Sequence, residues 1–297
     1  MVEVKLSPGT LFEVHVGVKL IVQCECKPPK NEFGMLFVSV TNAIPTLFWM
    51  ICYVVSDPGL VGDLEEELLP MADIQEQGGT TAIASDSTDS KYPRSRRVTF
   101  SVAKFQTACP LLVSTYYKEV MRFTNRAMGT RRVLQDTLIS YTPSSVSGEA
   151  RDEQTYYLLR KGANIQIPAI ITNFDPEAWG ADVHDFDPRR FMTTDRERER
   201  AQNRAFNQSG GGKHLCPGRF FADAEILGTL AALVLGFDIE TPEGSRLEVP
   251  PINDNLAEAV GKPLQSVQKN TLARMRRKPG WEDVTWAYVA GVPPKSS

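Results

Sequence analysis

The sequence has few of the residues that build several common kinds of site. Its 297 residues include three histidines and five cysteines, and neither residue type recurs at a fixed spacing. This scarcity argues against a zinc site and against a disulfide framework, and it favours a reducing environment. Dinucleotide-binding fingerprints are also lacking, because Gly210-Gly211-Gly212 does not follow a strand and does not fit GxGxxG. The formal net charge of −3 gives no argument for nucleic acid as a partner.

Targeting signals are equally sparse at the start of the sequence. Residues 1–11 contain neither a basic stretch nor an apolar stretch, so no signal peptide is expected there. Residues 33–55 are apolar and long enough to span a bilayer, but they include Ser39, Asn42 and Pro45. We therefore expect a buried core helix at about 33–56, with a membrane span as the alternative.

The hydrophobic pattern predicts a mainly α protein with small β-sheets. Residues 1–32 are expected to be irregular, residues 75–98 to form a solvated polar loop, and residues 172–208 to form loops and turns. A hairpin is expected over 157–167, turning at Lys161-Gly162, within strands at 131–139 and 156–171. The other expected elements are helices after Asp57 (with Leu60, Leu64, Leu68 and Leu69 on one side), at 110–125 and at 217–236, and short strands in the tail.

A glycine-rich loop that carries one cysteine is the most informative stretch. Residues 209–219 read SGGGKHLCPGR, and an amphipathic helix follows at once. Glycines let the backbone approach a flat cofactor, and N–H groups at a helix N-terminus stabilise a thiolate. Pro217 suits the first helical position, where its missing N–H costs nothing. The pattern indicates that Cys216 is a thiolate ligand, with a buried structural cysteine as the alternative.

This loop resembles the haem-binding loop of the cytochromes P450, FxxGx(R/H)xCxG, at Gly212, His214, Cys216 and Gly218. The resemblance implies haem b as cofactor and Cys216 as the axial ligand of its iron. It also implies that Gly212, His214 and Gly218 contact the cofactor. His214 would bind a propionate, and a plain loop hydrogen bond is its alternative role.

One position departs from the family pattern. Ser209 stands seven residues before Cys216, where the family has an aromatic residue, and the nearest phenylalanine is Phe206. Because that aromatic ring shields the thiolate in the family, we expect a more exposed iron–sulfur bond, with either a shifted redox potential or weaker retention of the cofactor.

A charged constellation precedes the cysteine loop. Glu119 and Arg122 lie three residues apart on one helix face, a pair that in isolation is most often solvent-exposed. The order of ExxR, a strand pair, FDPRRF at 186–191 and the cysteine loop is similar to the C-terminal half of the P450 family. The resemblance implies that Glu119, Arg122 and Arg190 form a buried triad that fixes the loop. It also suggests Arg132, with Arg131 as the alternative, as a donor to a propionate.

The predicted long helix carries a further pair of candidate residues. The family places an acid and an alcohol over the haem, and Thr41 and Asn42 stand at these positions. Asn42 followed by Pro45 is similar to the branch that contains sterol 7α- and 12α-hydroxylases and prostacyclin synthase. By this resemblance both residues are catalytic, with Asn42 holding oxygen or peroxide. The alternative is that Asn42 only bonds the carbonyl that Pro45 leaves free in the kinked helix.

The resemblance implies a haem-thiolate monooxygenase that inserts one atom of O2 into an apolar, sterol-, terpenoid- or lipid-like substrate, in secondary metabolism. Electrons would come from NADPH–cytochrome P450 reductase, and no nucleic acid is expected. The alternatives are a peroxide-rearranging isomerase of the same fold and a haem-binding remnant without turnover.

The resemblance covers about residues 33–290, so we expect residues 33–297 to be the C-terminal, haem-binding part of a P450 domain, with the N-terminal half absent. Residues 1–32 have no expected role. A full-length family member would sit on the cytosolic face of the endoplasmic reticulum membrane through an N-terminal anchor. Membrane association is expected only for such a full-length form.

Overall fold

The computed structural model describes residues 42–77, 95–141, 154–210, 215–252 and 272–289. Within these ranges helices form the core, and short strands lie around them. The helices are α1 (Ile44–Val55), α2 (Pro58–Leu68), α3 (Val102–Ala108), α4 (Pro110–Val113), α5 (Met121–Thr124), α6 (Ala169–Asn173), α7 (Pro176–Trp179), α8 (Arg196–Ala205) and α9 (Arg219–Gly236). A π-helical stretch, Ser114–Val120, joins α4 to α5 without a break. Residues 110–124 are therefore one helix, called the 110–124 helix below.

The strands within the described ranges form four small sheets. They are β1 (Asp73–Gln77), β2 (Ser95–Ser101), β3 (Met128–Arg132), β4 (Thr137–Tyr141), β5 (Thr155–Leu159), β6 (Asn164–Pro168), β7 (Phe237–Glu240), β8 (Arg274–Arg277) and β9 (Val284–Val289). One sheet has the order β1-β2-β9, with β2 and β9 parallel, and the other sheets are the antiparallel pairs β3-β6, β4-β5 and β7-β8. This arrangement agrees with the mainly α fold expected from the sequence.

The core lies between α1, α2, the 110–124 helix and α9. α2 begins where Asp57 accepts hydrogen bonds from the main-chain N–H groups of Gly59 (2.9 Å) and Leu60 (3.2 Å). This side-chain cap, together with Pro58 at the first turn, starts the helix. Its expected apolar face is confirmed at Leu60, Leu64 and Leu68, which are buried, but not at Leu69, which is 51% exposed. Leu69 lies about 100° further round than Leu68, off the four-residue repeat.

The prediction of a polar loop over residues 75–98 is wrong at both ends. Residues 75–77 belong to β1 and residues 95–98 to β2, and the two strands pair antiparallel. Val98 and Phe100 are fully buried, whereas Arg97 is exposed. This alternation is that of a half-buried strand, which the run of arginines concealed. Residues 78–94 lie outside the described ranges.

The prediction of a hairpin over residues 157–167 is also wrong. The chain does turn at Lys161-Gly162, and Gly162 has a φ of +86°, which glycine adopts without strain. The strands on either side of this turn pair with other partners, however, because β5 pairs with β4 and β6 pairs with β3. The strand predicted to reach residue 171 ends at Pro168, where α6 begins. Local sequence marks a turn but does not choose the strand partners.

Residues 172–208 are not only loop, because α7 and α8 lie within them. α8 starts at Asp195, whose side chain accepts from the main-chain N–H groups of Glu197 (2.9 Å) and Arg198 (3.3 Å). Its sequence, RERERAQNRA, buries only Gln202, so it has no apolar periodicity to reveal it. The predicted helices at 110–125 and 217–236 are confirmed to within two residues. The long helix predicted at 33–56 is confirmed from Ile44 to Val55, and its earlier residues lie outside the described ranges.

Across the described parts of the chain, no single helix combines the length and apolar character that crossing a membrane needs. One pair of helices, Ile44–Val55 and Pro58–Met71, bent by 108°, passes that test of length and composition when taken together.

Candidate functional site

Glu119, Arg122 and Arg190 are in direct contact at the centre of the molecule. Arg122 binds both carboxylate oxygens of Glu119, with Nε donating to Oε2 and Nη2 to Oε1, each at 2.8 Å. The Nε of Arg190 donates to the same Oε1 at 3.2 Å. All three side chains are completely buried. The ExxR pair is therefore not the exposed ion pair that its spacing alone would favour.

The same three side chains fasten a long loop to the 110–124 helix. Arg122 also donates to the main-chain oxygens of Asn173 (2.9 Å) and Val183 (2.8 Å), and Arg190 donates to those of Trp179, Asp182 and Asp185. In return, Glu119 Oε1 accepts from the main-chain N–H of Asp187 at 2.9 Å. These bonds hold residues 173–190 in place, and the buried charges have partners on every side.

The charges around Arg190 shift two pKa values. Burial acts to lower the pKa of Arg190, but the carboxylates of Glu119 and Asp182 outweigh it and hold this pKa above its usual value. The hydrogen bond from Arg190 lowers the pKa of Asp182 below the usual range for an aspartate. Both shifts favour the charged forms of Arg190 and Asp182.

The network continues from Arg190 to the cysteine loop. Gln202 of α8 donates to the main-chain oxygen of Arg190 at 3.4 Å. α8 ends at Phe206, whose ring lies 5.3 Å from Phe191 and 6.3 Å from Trp179, between ring centres. Three residues later, the main-chain oxygen of Ser209 accepts from the N–H of Cys216 at 2.9 Å. A series of contacts therefore leads from Glu119 to Phe206, and three further residues of chain lead to the Ser209–Cys216 bond.

Cys216 opens onto a cavity of about 200 Å³ between α1, the 110–124 helix and α9. Its free thiol is partly exposed. The other lining residues are Asn42, Ala43, Thr46, Met121, Asn125, Ala127, Gln208, Ser209, Arg219, Ala222, Asp223 and Ile226. Phe206 is not among them, so Ser209 itself occupies the wall where the family has its aromatic residue.

Two polar atoms in this cavity stand out. The side-chain oxygens Oδ1 of Asn42 and Oε1 of Gln208 are buried, and among the described residues neither receives a hydrogen bond. The main-chain oxygen of Asn42 is satisfied by the Thr46 hydroxyl at 2.8 Å. The alternative role of Asn42 at the kink involves residues before Asn42, which lie outside the described ranges. Unsatisfied buried acceptors are costly, so they indicate a cavity that is completed by something else.

The residues present fit the face of a haem to which a cysteine thiolate binds. Among the described residues there is no group of three or more His, Cys, Asp and Glu side chains that could hold a metal ion. Cys216 alone can therefore bind a metal only if the other ligands come with it, as they do in a porphyrin. The apolar walls at Ala43, Ala222 and Ile226 suit a flat apolar ring. At about 200 Å³ the cavity is below the ~300–1,000 Å³ of typical cofactor pockets, so the described residues form one side of such a site.

The structure gathers some of the other predicted residues and not others. Gly218 precedes α9 and its carbonyl accepts from the N–H of Ala222 at 3.0 Å. Arg132 and Arg131 are exposed on β3, and neither lines the cavity. Thr41, Gly212 and His214 lie outside the described residues.

Several lining residues carried no signal in the sequence. Gln208 lies in a loop with no motif of its own, and Asp223 lies one turn inside α9. Asp223 accepts a hydrogen bond from Gln106 of α3 at 3.0 Å, which ties α9 to α3 beside the cavity. Only the folding of the chain brings these side chains to the cavity of Cys216.

Comparison with known proteins agrees with this geometry. The model of the family described as Cytochrome P450 matches residues 111–265, which include the triad and Cys216. The chain belongs to the cytochrome P450 family. This membership implies a haem-iron cofactor.

Fungal members of the family are similar over most of the chain. A cytochrome P450 monooxygenase of Gibberella zeae is 32% identical over 88% of this chain and 45% of its own length. Cytochrome P450 monooxygenase nodJ of Hypoxylon pulicicidum is 27% identical over 87% of this chain and 44% of its own, and calL of Penicillium decumbens is 31% identical over 79% and 41%. The chain thus spans less than half the length of these curated relatives.

Proposed function

We propose that this chain is the part of a P450 monooxygenase that carries the thiolate ligand of the haem iron. The enzyme inserts one atom of O2 into an apolar substrate. The observation that carries the proposal is the placement of the partly exposed Cys216 thiol in one cavity with Asn42, at the end of the buried network from Glu119. Bound haem b supplies oxygen activation, which a thiolate ligand favours by donating electron density. The relatives named as monooxygenases support the same reaction.

The residues of this chain then have separate tasks. Cys216 holds the iron, and its main chain is fixed by the bond to Ser209 (2.9 Å) and by the Arg219 guanidinium, which donates to the Cys216 carbonyl at 3.0 Å. Gly212, Gly218 and His214 would line the cofactor, as the family loop implies. Arg132 is proposed as a propionate donor, although it is exposed on β3.

The proposed catalytic residues are Asn42, which lines the cavity, and Thr41, which lies outside the described ranges. The Asn42 amide can hold a polar ligand by donating from Nδ2 and accepting at Oδ1, and its Oδ1 has no partner among the described residues. An amide is a poor proton donor, so it orients the ligand rather than protonating it. Thr41 would contribute the hydroxyl beside it.

The finer parts of the proposal rest on the resemblance in sequence. They comprise a sterol-, terpenoid- or lipid-like substrate, a role in secondary metabolism, NADPH–cytochrome P450 reductase as electron donor, and likeness to the sterol hydroxylase and prostacyclin synthase branch. The relatives given above do not carry names from that branch. A location on the endoplasmic reticulum membrane and the division into residues 1–32 and 33–297 are likewise proposals.

A peroxide-rearranging isomerase is the second candidate, and the amide of Asn42 favours it. Such an enzyme needs no external electrons, and a residue that cannot donate a proton readily suits it better than an acid would. A haem-binding remnant without turnover is the third candidate, which the small cavity and Ser209 favour.

The first experiment tests the cofactor. The reduced protein with carbon monoxide should show the red-shifted Soret band of thiolate-ligated haem, and Cys216→Ala should abolish it. Cys52→Ala is the matched control, because Cys52 is a buried cysteine of α1 that does not line the cavity. A Cys216→Ala protein that keeps the band shows that the assigned ligand is wrong.

The second experiment separates the three reactions. Oxygen-dependent product from an apolar substrate with NADPH and reductase supports the monooxygenase. Product from an organic peroxide without reductase supports the isomerase. Haem uptake with neither product supports the remnant.

A further inference from the structure

Glu67 of α2 caps a helix to which it does not belong. Its Oε1 accepts from the main-chain N–H of Leu111 at 2.7 Å, and its Oε2 accepts from that of Leu112 at 2.8 Å. Both donors lie in the first turn of the 110–124 helix. A carboxylate at this end of a helix is favoured both by its free N–H groups and by the helix dipole.

This contact completes the hydrogen bonding of the helix start. Pro110 has no N–H, Leu111 and Leu112 bond Glu67, and the N–H of Val113 bonds the carbonyl of Cys109 at 3.0 Å. Cys109, the residue before the helix, makes no side-chain cap. Glu67 therefore performs the task that a serine or aspartate would perform locally.

The carboxylate lies in a partly buried place. Leu64 and Leu68, one turn before and one residue after Glu67, are fully buried, which fixes α2 against the core. Burial raises the pKa of Glu67, and its bonds to Leu111 and Leu112 offset only part of the rise. Burial, with a smaller contribution from Glu67, raises the pKa of Cys109 to about 12. The carboxylate thus has two main-chain partners in a partly buried place, so the loss of this contact should be felt.

The capped helix carries the groups that position the cysteine. Glu119 follows Leu111 by eight residues, about 12 Å along the helix axis. Beyond the Glu119 bond to Asp187, the same helix bonds the loop through the Ser114 hydroxyl, which accepts from the N–H of Phe191 at 3.3 Å. From Phe191 the contacts run through α8 to Ser209 and Cys216. A shift of the helix start would reach the cysteine along this path.

We infer that Glu67 is a positioning residue of the Cys216 site, acting through the 110–124 helix and the Glu119 network. The part that concerns haem rests on the proposed function. The part that concerns coupling along the network does not, and the two can be measured separately.

The test compares Glu67→Gln with Glu66→Gln, an exposed neighbour on the same helix. A glutamine keeps the size of Glu67, but it can accept only one of the two N–H groups, and its own N–H₂ faces the other. We expect haem release about tenfold faster than in the unaltered protein, at the low end for residues that orient metal ligands. Glu67→Asp, which keeps the charge on a shorter chain, should recover part of the loss, and Glu66→Gln should release haem at the unaltered rate.

Hydrogen exchange supplies a readout that needs no haem. In Glu67→Gln, faster exchange should appear in residues 111–124 and also in residues 185–191 and 215–219. A rise confined to residues 111–113 would mean that Glu67 is only a local cap and overturns the coupling part, whereas unchanged haem release overturns the part that concerns haem. If the unaltered protein binds no haem, the proposed function fails, and exchange alone decides the inference. If Glu67→Gln is insoluble, Glu67→Asp decides by the same measurements.

Discussion

The Glu119 network and the Cys216 cavity share a helix but differ in how their polar groups are satisfied. Around Glu119, three fully buried charged side chains have partners at short distances, and five main-chain oxygens complete the set. Around Cys216, the thiol is partly exposed and two buried amide oxygens have no partner among the described residues. The first region is satisfied by the described residues, whereas the two amide oxygens of the second are not. Stability and function are thus divided between neighbouring regions.

The largest effect expected from this comparison is that of Arg122→Ala. The change leaves the Glu119 carboxylate buried without its main partner, which should lower the free energy of unfolding by about 3–5 kcal/mol. It should also prevent haem incorporation, because the loop at 173–190 loses its anchor. Denaturant unfolding monitored by circular dichroism measures the first effect, and the Soret absorbance measures the second.

Arg189→Ala is the matched control, because Arg189 pairs with Asp63 at the surface and both side chains are about half exposed. Exposed pairs contribute about 0–1 kcal/mol. If Arg122→Ala lowers the free energy of unfolding no more than Arg189→Ala does, the Glu119 network does not stabilise the fold as the comparison implies.

The second prediction concerns Asn42 in the unsatisfied region. Asn42→Leu removes a buried acceptor without a partner, so the free energy of unfolding should rise by about 1 kcal/mol. If Asn42 orients bound oxygen or peroxide, turnover should fall about 10²–10³-fold with haem content unchanged. Product formation per haem and thermal unfolding provide the two measurements.

Asn203→Leu, at an exposed position of α8, controls for the same change of side chain and should alter neither quantity. An Asn42→Leu protein with lower stability and lower haem content would instead support the role of Asn42 at the kink beside Pro45. Unchanged turnover and unchanged stability would leave Asn42 with neither role.

The third prediction tests whether an aromatic side chain at position 209 can shield the Cys216 thiolate. Ser209→Phe restores the aromatic residue of the family pattern in the wall of the cavity. Because it would shield the iron–sulfur bond, we expect haem release to slow by about tenfold. Transfer of haem to an excess of apomyoglobin measures the rate. Asn207→Phe, exposed two residues earlier, is the control, and equal rates in the two variants would show that Ser209 does not limit retention.

The smallest expected effect is a change in how stability depends on pH, at Asp182 on the edge of the Glu119 network. Arg190 lowers the pKa of Asp182 in the folded protein, so this contact stabilises the fold above the unfolded pKa of about 3.9. The contribution is lost as the pH falls through the lower, folded pKa. Asp182→Asn should therefore reduce stability near neutral pH slightly and flatten its fall below pH ~4. Unfolding midpoints across that range test this, and a variant whose acid dependence matches that of the unaltered protein contradicts it.

The elements that the sequence predicted correctly are those whose signals come from residues close together in the chain. The helix predicted at 110–125 is confirmed as the 110–124 helix, and its apolar residues Leu111, Leu112 and Val120 are buried. The helix after Gly218 was expected for the same reason. α8 was missed because its charged sequence has no apolar face, and the strand at 95–101 was missed because three arginines precede its two buried residues.

Sequence by itself determined the family of this protein, its helical core and the identity of the cysteine loop, because helix periodicity and motif spacing are written in consecutive residues. Tertiary structure alone decided that β5 pairs with β4 rather than β6, that Gln208 reaches the cavity of Cys216, and that Glu67 caps a helix that begins 43 residues further along the chain. These contacts join residues far apart in sequence. Each forms only when packing brings a donor and an acceptor together and excludes water from them, a condition that no local pattern encodes.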